Sequence, residues 1–109
     1  MQRKNATSVP ERCYVVYCAN KIRGKWKILI MHQTLAGANR FGELLRQLSG
    51  ISRQALTKEL RELETNGFLK RKVYAEVPPR VEYTPTPLGV SLLPVLRVMG
   101  KWGKTQIGD

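Results

Sequence analysis

The chain has 109 residues, 42% hydrophobic and 25% charged, which is enough for one domain with its own core. Nineteen Lys and Arg against eight Asp and Glu give a net charge of +11, which indicates a polyanionic partner such as nucleic acid. No apolar run approaches the roughly 18 residues of a membrane span. Two cysteines and one histidine exclude a disulfide framework and a typical zinc site. We therefore expect a cytoplasmic protein with no signal peptide, membrane partner, metal or cofactor.

Two N-terminal segments precede the main helical region. Residues 1–10 are polar and carry Arg3 and Lys4, which predicts a flexible basic arm ahead of a single domain over residues 11–109. Residues 13–18 read Cys-Tyr-Val-Val-Tyr-Cys, and β-branched and aromatic residues dominate them. Propensity alone therefore predicts a buried strand there.

Apolar spacing predicts two helices in the next part of the chain. Residues 25–35 form an apolar segment too long for most strands, which indicates a buried helix. Gly37 interrupts the chain, and Asn39 stands where it can cap a second helix over residues 40–48. Apolar side chains recur at helical spacing in that second helix, at Phe41, Leu44, Leu45 and Leu48.

A third helix is predicted over residues 52–66, with its own start and stop signals. Ser52 is a typical N-cap, and Gly67 suits the left-handed residue that ends a helix. On a wheel of about 100° per residue, the face predicted to pack inward consists of Ser52, Leu56, Leu60 and Leu63. The opposite face carries hydrogen-bond donors and no acid, at Gln54, Thr57, Lys58 and Arg61.

Such an outward face suits a helix that lies in the major groove of DNA. Arg and Lys can reach guanine O6 and N7, Gln can pair with adenine, and Thr can serve either role. An ordinary solvated face is the alternative. The short link Ser49-Gly50-Ile51 joins the second and third helices, so the pair has the form of a helix-turn-helix, with a plain αα-hairpin as its alternative.

Two short segments after this helix are predicted to form a β-hairpin, the second half of a winged helix. Residues 68–74 and 80–84 suit strands, and two prolines stiffen the turn over residues 75–79. We expect the hairpin cations to contact phosphates and Arg80 to enter a minor groove. These cations are Lys70, Arg71, Lys72 and Arg80. A solvated hairpin whose charges protect its edge is the alternative.

The C-terminal segment carries more apolar residues at helical spacing than a small core needs. Pro94 lies within it and predicts either a kink or a helix that starts late. A second copy of the chain is the simplest partner for this stripe, and closure of the chain's own core is the alternative. The stripe consists of Leu88, Leu92, Val95, Leu96, Met99 and Trp102.

The order of these elements and several local motifs resemble the HxlR family of winged-helix transcriptional regulators. The most specific match is the run Tyr-Ala-Glu-Val-Pro-Pro-Arg-Val-Glu-Tyr at residues 74–83. Further matches, in chain order, are Cys13, Gly24-Lys25-Trp26, Arg40-Phe41, Gly50-Ile51-Ser52, Gly67, Thr86 and Leu88-Gly89.

The resemblance implies an α+β fold, mainly α: a winged helix-turn-helix with a two-stranded wing and terminal helices that form a dimer interface. It also implies a helix over residues 14–22 in place of the strand. Some family members use the cysteine that matches Cys13 as a thiol sensor of oxidants or electrophiles. A helix N-terminus beside Arg12 would stabilise a thiolate there. A half-buried cysteine without a redox role is the alternative.

We therefore predict a homodimer that binds double-stranded DNA sequence-specifically at an inverted-repeat operator. Cys13 is the candidate redox sensor, and a small molecule or an oxidant is the candidate effector. The predicted DNA contacts are Arg40, Ser52, Arg53, Gln54, Thr57, Lys58, Arg61, Lys70, Arg71, Lys72 and Arg80. The predicted dimer contacts are Tyr14, Tyr17, Leu92, Val95, Leu96, Met99 and Trp102.

Two other classes of function fit the sequence less well. A winged-helix module can bind RNA, chromatin or protein without reading base sequence, and the net charge disfavours a purely protein-binding role. An enzyme is not expected, because His32 is the only histidine and falls within the predicted buried helix. The sequence also contains no recognisable carboxylate pair, nucleophile–base set or phosphate-binding glycine loop.

Overall fold

The structure is a computed structural model that describes residues 10–108. Within this range, five helices and one short helical turn accompany a two-stranded antiparallel sheet, which confirms the predicted winged-helix fold. The predicted arm, apart from Pro10, lies outside the described residues. The elements are α1 (Glu11–Lys21), α2 (Lys25–Leu35), α3 (Phe41–Gln47), α4 (Arg53–Thr65), β1 (Leu69–Tyr74), β2 (Arg80–Pro85), α5 (Pro87–Val90) and α6 (Leu93–Ile107).

The core lies where α2, α3 and α4 meet the base of the hairpin. The buried side of α2 includes Lys27 and Thr34 beside Ile30 and Met31, whereas α4 buries only leucines, as expected for an amphipathic helix that turns an apolar stripe toward the core. Burial of each large apolar side chain contributes about 1.5–3 kcal/mol. The fully buried side chains are Ile30, Met31, Leu44, Leu56, Leu60, Leu63 and Leu69.

The prediction of a strand over residues 13–18 is wrong. The helix implied by the family resemblance is confirmed, as α1. All residues from 11 to 20 are exposed, so no buried sheet surface favours an extended segment. Within the described residues β1 pairs only with β2, and no strand lies beside α1. A helix satisfies its backbone hydrogen bonds internally, whereas a strand without a neighbour cannot.

Two details of the helix boundaries bear on the predictions. Arg40, and not Asn39, is the N-cap of α3, and it makes no side-chain cap hydrogen bond. The Asn39 carbonyl instead accepts a 2.8 Å hydrogen bond from the backbone N–H of Tyr83, which ties the chain before α3 to β2. The C-terminal helix starts late, because Pro94 lies in the first turn of α6, where its missing N–H costs no hydrogen bond.

A close approach between α5 and the start of the hairpin requires a glycine. A Cβ atom on Gly89 would collide with the Phe68 carbonyl oxygen. The Thr86 hydroxyl fixes this arrangement, because it donates to the Gly67 carbonyl and accepts from the Gly89 N–H. Both ends of the hairpin are thereby held next to the C-terminus of α4.

A buried lysine joins α2 to α4, which the sequence pattern did not reveal. The Nζ atom of Lys27 donates to carboxylate oxygens of Glu59 and Glu62, each at 2.5 Å, and its side chain is only 5% exposed. Burial disfavours the charged amine, but the two hydrogen bonds outweigh it, so the pKa of Lys27 is raised. Hydrogen bonds from Lys27 and Lys58 lower the pKa of Glu62 to about 2.

Lys27→Met is expected to lower the free energy of unfolding at neutral pH by about 2–3 kcal/mol, because it leaves two carboxylates without their buried partner. The Glu62 carboxyl titrates near pH 4.5 in an unfolded chain and near 2 when folded. Its contribution is therefore present above pH 4.5 and lost as the pH falls toward 2. Chemical denaturation between pH 7 and 3 should show a shallower loss of stability in Lys27→Met than in the wild type.

Lys25→Met, which removes an exposed cation from the same helix, is the matched control. It is expected to change the unfolding free energy by less than about 0.5 kcal/mol. Equal stability of Lys27→Met and Lys25→Met at pH 7 would contradict a stabilising role for the ion pair.

Candidate nucleic-acid interface

The third predicted helix, α4, has the expected start and end. The Ser52 side chain accepts a 3.0 Å hydrogen bond from the Ala55 N–H, and Gly67 follows the helix with a φ of 85°. Leu56, Leu60 and Leu63 are buried as predicted. Ser52 differs from that prediction because it is exposed: as the N-cap it has an extended backbone and is not part of the inward stripe.

The outer face of α4 carries the predicted polar side chains on one open surface. Gln54, Lys58 and Arg61 are exposed, and Thr57 is half-buried between them. Together with Ser52 and Ala55 they line a shallow depression of about 600 Å³. The Thr57 hydroxyl donates to the Arg53 carbonyl at 2.9 Å, so its oxygen and its methyl group remain for an outside partner.

Neighbouring groups restrain two cations of this face. The Nζ atom of Lys58 lies 3.1 Å from Glu62, the carboxylate that also binds Lys27 from the core side. The Arg53 guanidinium lies 5.7 Å from the centroid of the Phe41 ring, which connects the first turn of α4 to the first turn of α3. Glu62 and Phe41 therefore connect the packed side of α4 to cations of its charged face.

The three consecutive cations of β1 divide between the two faces of the hairpin. Lys70, Arg71 and Lys72 are all exposed, and successive side chains of a strand point to opposite faces. Arg71 lies on the face toward α4, where it shares a cleft with Arg61. The structure therefore brings a cation of α4 and a cation of the hairpin onto one surface.

Arg80, for which a minor-groove contact stays a prediction, lies in a network within the hairpin itself. Its guanidinium binds Glu76 at 3.0 Å and also binds Glu82, and it lies 3.8 Å from the centroid of the Tyr74 ring. The hydrogen bond from Arg80 lowers the pKa of the Glu76 carboxyl. Arg40 is exposed and lines a depression with residues 76–81, so it approaches the hairpin turn from the α3 side.

The terminal helices expose most of the predicted dimer contacts. Tyr14 and Tyr17 of α1 are exposed, as are Val95, Met99 and Trp102 of α6, the last by 67%. Val98 is 64% exposed on the same side of α6, although the spacing used to predict this stripe omitted it. Two of the predicted dimer contacts are not exposed in this way. Leu96 is buried in the chain's own core, and Leu92 packs against that core.

The chemistry-bearing residues outside this interface are few. Cys13 and Cys18 are both exposed free thiols on α1, and His32 is exposed, although its helix was predicted to be buried. Among residues 10–108, no group of three or more His, Cys, Asp or Glu side chains is arranged to hold a metal ion. In the same range, no helix has the length and apolarity needed to span a bilayer.

Comparison with known proteins identifies the family. The model of the HxlR-like helix-turn-helix family matches residues 21–109. The chain belongs to the HxlR-like helix-turn-helix family. The predicted resemblance is thereby confirmed, and so is the general class, a DNA-binding transcriptional regulator.

Individual relatives agree with this assignment. An HTH-type transcriptional regulator from Methanothermobacter thermautotrophicus is 46% identical over 92 residues, which cover 84% of this chain and 70% of the relative. The crystal structure of a MarR-family transcriptional regulator from Enterococcus faecalis V583 has a TM-score of 0.80 at 40% identity, covering 94% of this chain and 93% of that one. The reduced form of the redox regulator HypR has a TM-score of 0.82 at 38% identity. The match covers 87% of this chain and 94% of the HypR chain.

The Arg80 network predicts a rescue between substitutions. Arg80→Gln is expected to weaken duplex binding about fivefold, because it leaves two carboxylates of the hairpin without a cation. Replacing Arg80, Glu76 and Glu82 together with Gln should restore affinity to the wild-type value or better. Fluorescence anisotropy with a labelled duplex measures both.

Arg97→Gln, the same change of charge on α6, is the matched control for Arg80→Gln. If the triple variant binds as weakly as Arg80→Gln, then Arg80 contacts DNA directly, and its role is not explained by the two carboxylates.

Proposed function

We propose that the protein is a homodimeric regulator that binds duplex DNA sequence-specifically, with α4 in the major groove and the hairpin against the adjacent backbone. The observation that supports this most directly is the common surface of Arg61 and Arg71, one from α4 and one from the hairpin. A merely solvated helix face would not require hairpin cations beside it. Such a regulator acts where chromosomal DNA is found, in the cytoplasm.

The side chains divide by chemistry into base-reading and backbone-binding groups. On α4, the long donors of Gln54, Lys58 and Arg61 can reach base edges, and the methyl group and oxygen of Thr57 can contact a base from the same face. Arg53 and Ser52 lie at the N-terminus of α4, where they can meet flanking phosphates. The proposed backbone contacts outside α4 are Arg40, Lys70, Arg71 and Lys72.

A second copy of the chain is the proposed partner of the terminal helices. Large apolar side chains on α1 and α6 are exposed to a degree unusual for a monomer, including Val98 and Trp102. A twofold dimer places its two copies of α4 on the same side of the duplex. It therefore requires an inverted-repeat operator with half-sites about one helical turn apart, or a multiple of that distance.

We further propose that Cys13 makes DNA binding responsive to oxidants or electrophiles. Cys13 lies in the first turn of α1 and is exposed, and a redox regulator is among the structural relatives. Cys18 is five residues further on, about 7.5 Å along the helix axis. This separation exceeds the Cα–Cα distance of about 7 Å that a disulfide tolerates. A disulfide of Cys13 would therefore need a thiol outside its own helix, with the two electrons and two protons of the thiols taken up by an oxidant such as diamide.

Selection of binding sites from random duplex DNA tests the proposed function. An inverted repeat is expected, and enrichment should disappear after treatment with diamide in the wild type but persist in Cys13→Ser. Recovery of no common sequence would favour the other candidate class, a winged-helix module that binds RNA, chromatin or protein without base readout. Equal diamide sensitivity of Cys13→Ser and the wild type would contradict sensing through Cys13.

The division of labour between α4 and the hairpin predicts two different losses. Arg61→Ala is expected to cost about 1–3 kcal/mol on the selected duplex and little on random duplex, because it removes a base contact. Lys72→Ala should weaken both duplexes equally and reduce the slope of log K against log salt by about one unit. Titrations at several salt concentrations measure both, and equal losses on both duplexes for both variants would contradict the division.

The dimer interface predicts that Val98→Glu yields a folded monomer. Val98 is largely exposed, so its replacement spares the chain's core, whereas a buried carboxylate at an apolar interface is costly. Light scattering should report half the wild-type mass, with an unchanged circular dichroism spectrum. Arg97→Glu introduces a carboxylate on the side of the same helix away from Val95 and Trp102, at an exposed position, and should remain dimeric. A wild type of monomeric mass would contradict the proposed assembly.

A further inference from the structure

The cleft between α4 and the hairpin lies beside the base-reading face and adds three groups that this face does not use, Glu64, Arg71 and Tyr83. It has a volume of about 420 Å³. Arg71 and Tyr83 are directly opposite each other in the antiparallel register, so their side chains share the hairpin face that meets α4. The lining residues are Thr57, Arg61, Glu64, Arg71 and Tyr83.

The geometry of duplex DNA indicates what must enter this cleft. The major and minor grooves are separated by a single sugar–phosphate strand. If α4 lies in the major groove and the hairpin lies over the neighbouring minor groove, that strand must cross between them. The cleft between α4 and the hairpin is therefore the place where a backbone phosphate comes closest to both elements.

The cleft offers suitable hydrogen-bond donors for a phosphate. Arg71 presents a guanidinium, the group that best matches phosphate oxygens, while the neighbouring Arg61 serves the proposed base contact. Burial raises the pKa of the Tyr83 phenol, so its hydroxyl stays protonated and can donate. The Thr57 hydroxyl proton is already directed at the Arg53 carbonyl, which leaves Tyr83 as the neutral donor best placed to assist Arg71.

Glu64 is the one carboxylate that lines this cleft. Its Oε1 atom lies 3.9 Å from Nε of Arg71, and both side chains are about 40% exposed. An ion pair at that distance and exposure is weak, so little free energy is needed to break it. In the protein without DNA, Glu64 therefore occupies the position beside Arg71 that an incoming anion would take.

We propose that this cleft binds one backbone phosphate through Arg71 and Tyr83, and that the phosphate replaces the Glu64 carboxylate as the partner of Arg71. This inference rests on the proposed DNA-binding function and adds a regulating acid to it. One anion exchanges for another, so Arg71 is never left without a partner. Glu64 thereby lowers affinity for every sequence by the free energy of its pairing with Arg71.

A double-mutant cycle on a short random-sequence duplex tests the exchange. Glu64→Gln is expected to tighten binding about two- to fivefold, the equivalent of one exposed ion pair. Arg71→Gln should weaken it, and adding Glu64→Gln to Arg71→Gln should then change nothing. Tyr83→Phe should weaken binding about tenfold with no loss of thermal stability. Glu11→Gln, the same charge change on α1, is the control and should leave affinity unchanged.

Several outcomes would overturn the inference. If Glu64→Gln tightens binding equally with and without Arg71, the carboxylate only repels DNA through space. If Tyr83→Phe binds as the wild type does, the phenol donates no hydrogen bond to the phosphate. If Arg71→Gln binds the random-sequence duplex as tightly as the wild type does, the cleft takes no backbone phosphate. A wild type that binds no duplex would instead refute the proposed function itself.

Discussion

The ion pair of Lys27 with Glu59 and Glu62 is the interaction on which the position of α4 depends. A buried ammonium group is tolerated only when strong acceptors surround it, and both acceptors come from α4. Because Glu62 also binds Lys58, the same carboxylate connects the packing of α2 to a cation of the outer face. Directional hydrogen bonds therefore restrict how α4 can rotate on the core, which apolar packing alone would do less strictly.

The distribution of acids explains how a nearly neutral helix can present a cationic face. Glu59 and Glu62 are directed toward Lys27, Glu64 toward Arg71, and the two carboxylates of the hairpin toward Arg80. Most negative charges of this part of the chain are therefore close to a cation of the same molecule. Gln54 and Arg61 extend from the surface that remains, and there the net charge of +11 has its effect.

The terminal helices serve a different purpose from the core. The apolar side chains of α1 and much of α6 contribute little to the chain's own core, since no residue of α1 is buried and only Leu96 of α6 is. Their exposure supports assembly with a second copy, and Cys13 lies on the same helix as Tyr14 and Tyr17. The proposed sensing group would thus sit at the proposed interface and away from the DNA, so a thiol reaction there would act through the arrangement of the two copies.

The sequence by itself determined the elements whose signals are local. The N-cap at Ser52, the left-handed Gly67, the apolar stripe of α4 and its outward donors follow from residue type and helical period. Tertiary structure alone decided which distant residues meet: Lys27 with α4, Arg71 with Glu64, Arg80 with its carboxylates, and the Asn39 carbonyl with β2. It also decided that residues 13–18 are helical, because propensity describes a half-buried surface and the chain provides no neighbouring strand there. Periodicity reports which side of an element is apolar, whereas the partner of a charge depends on the packing of the whole chain.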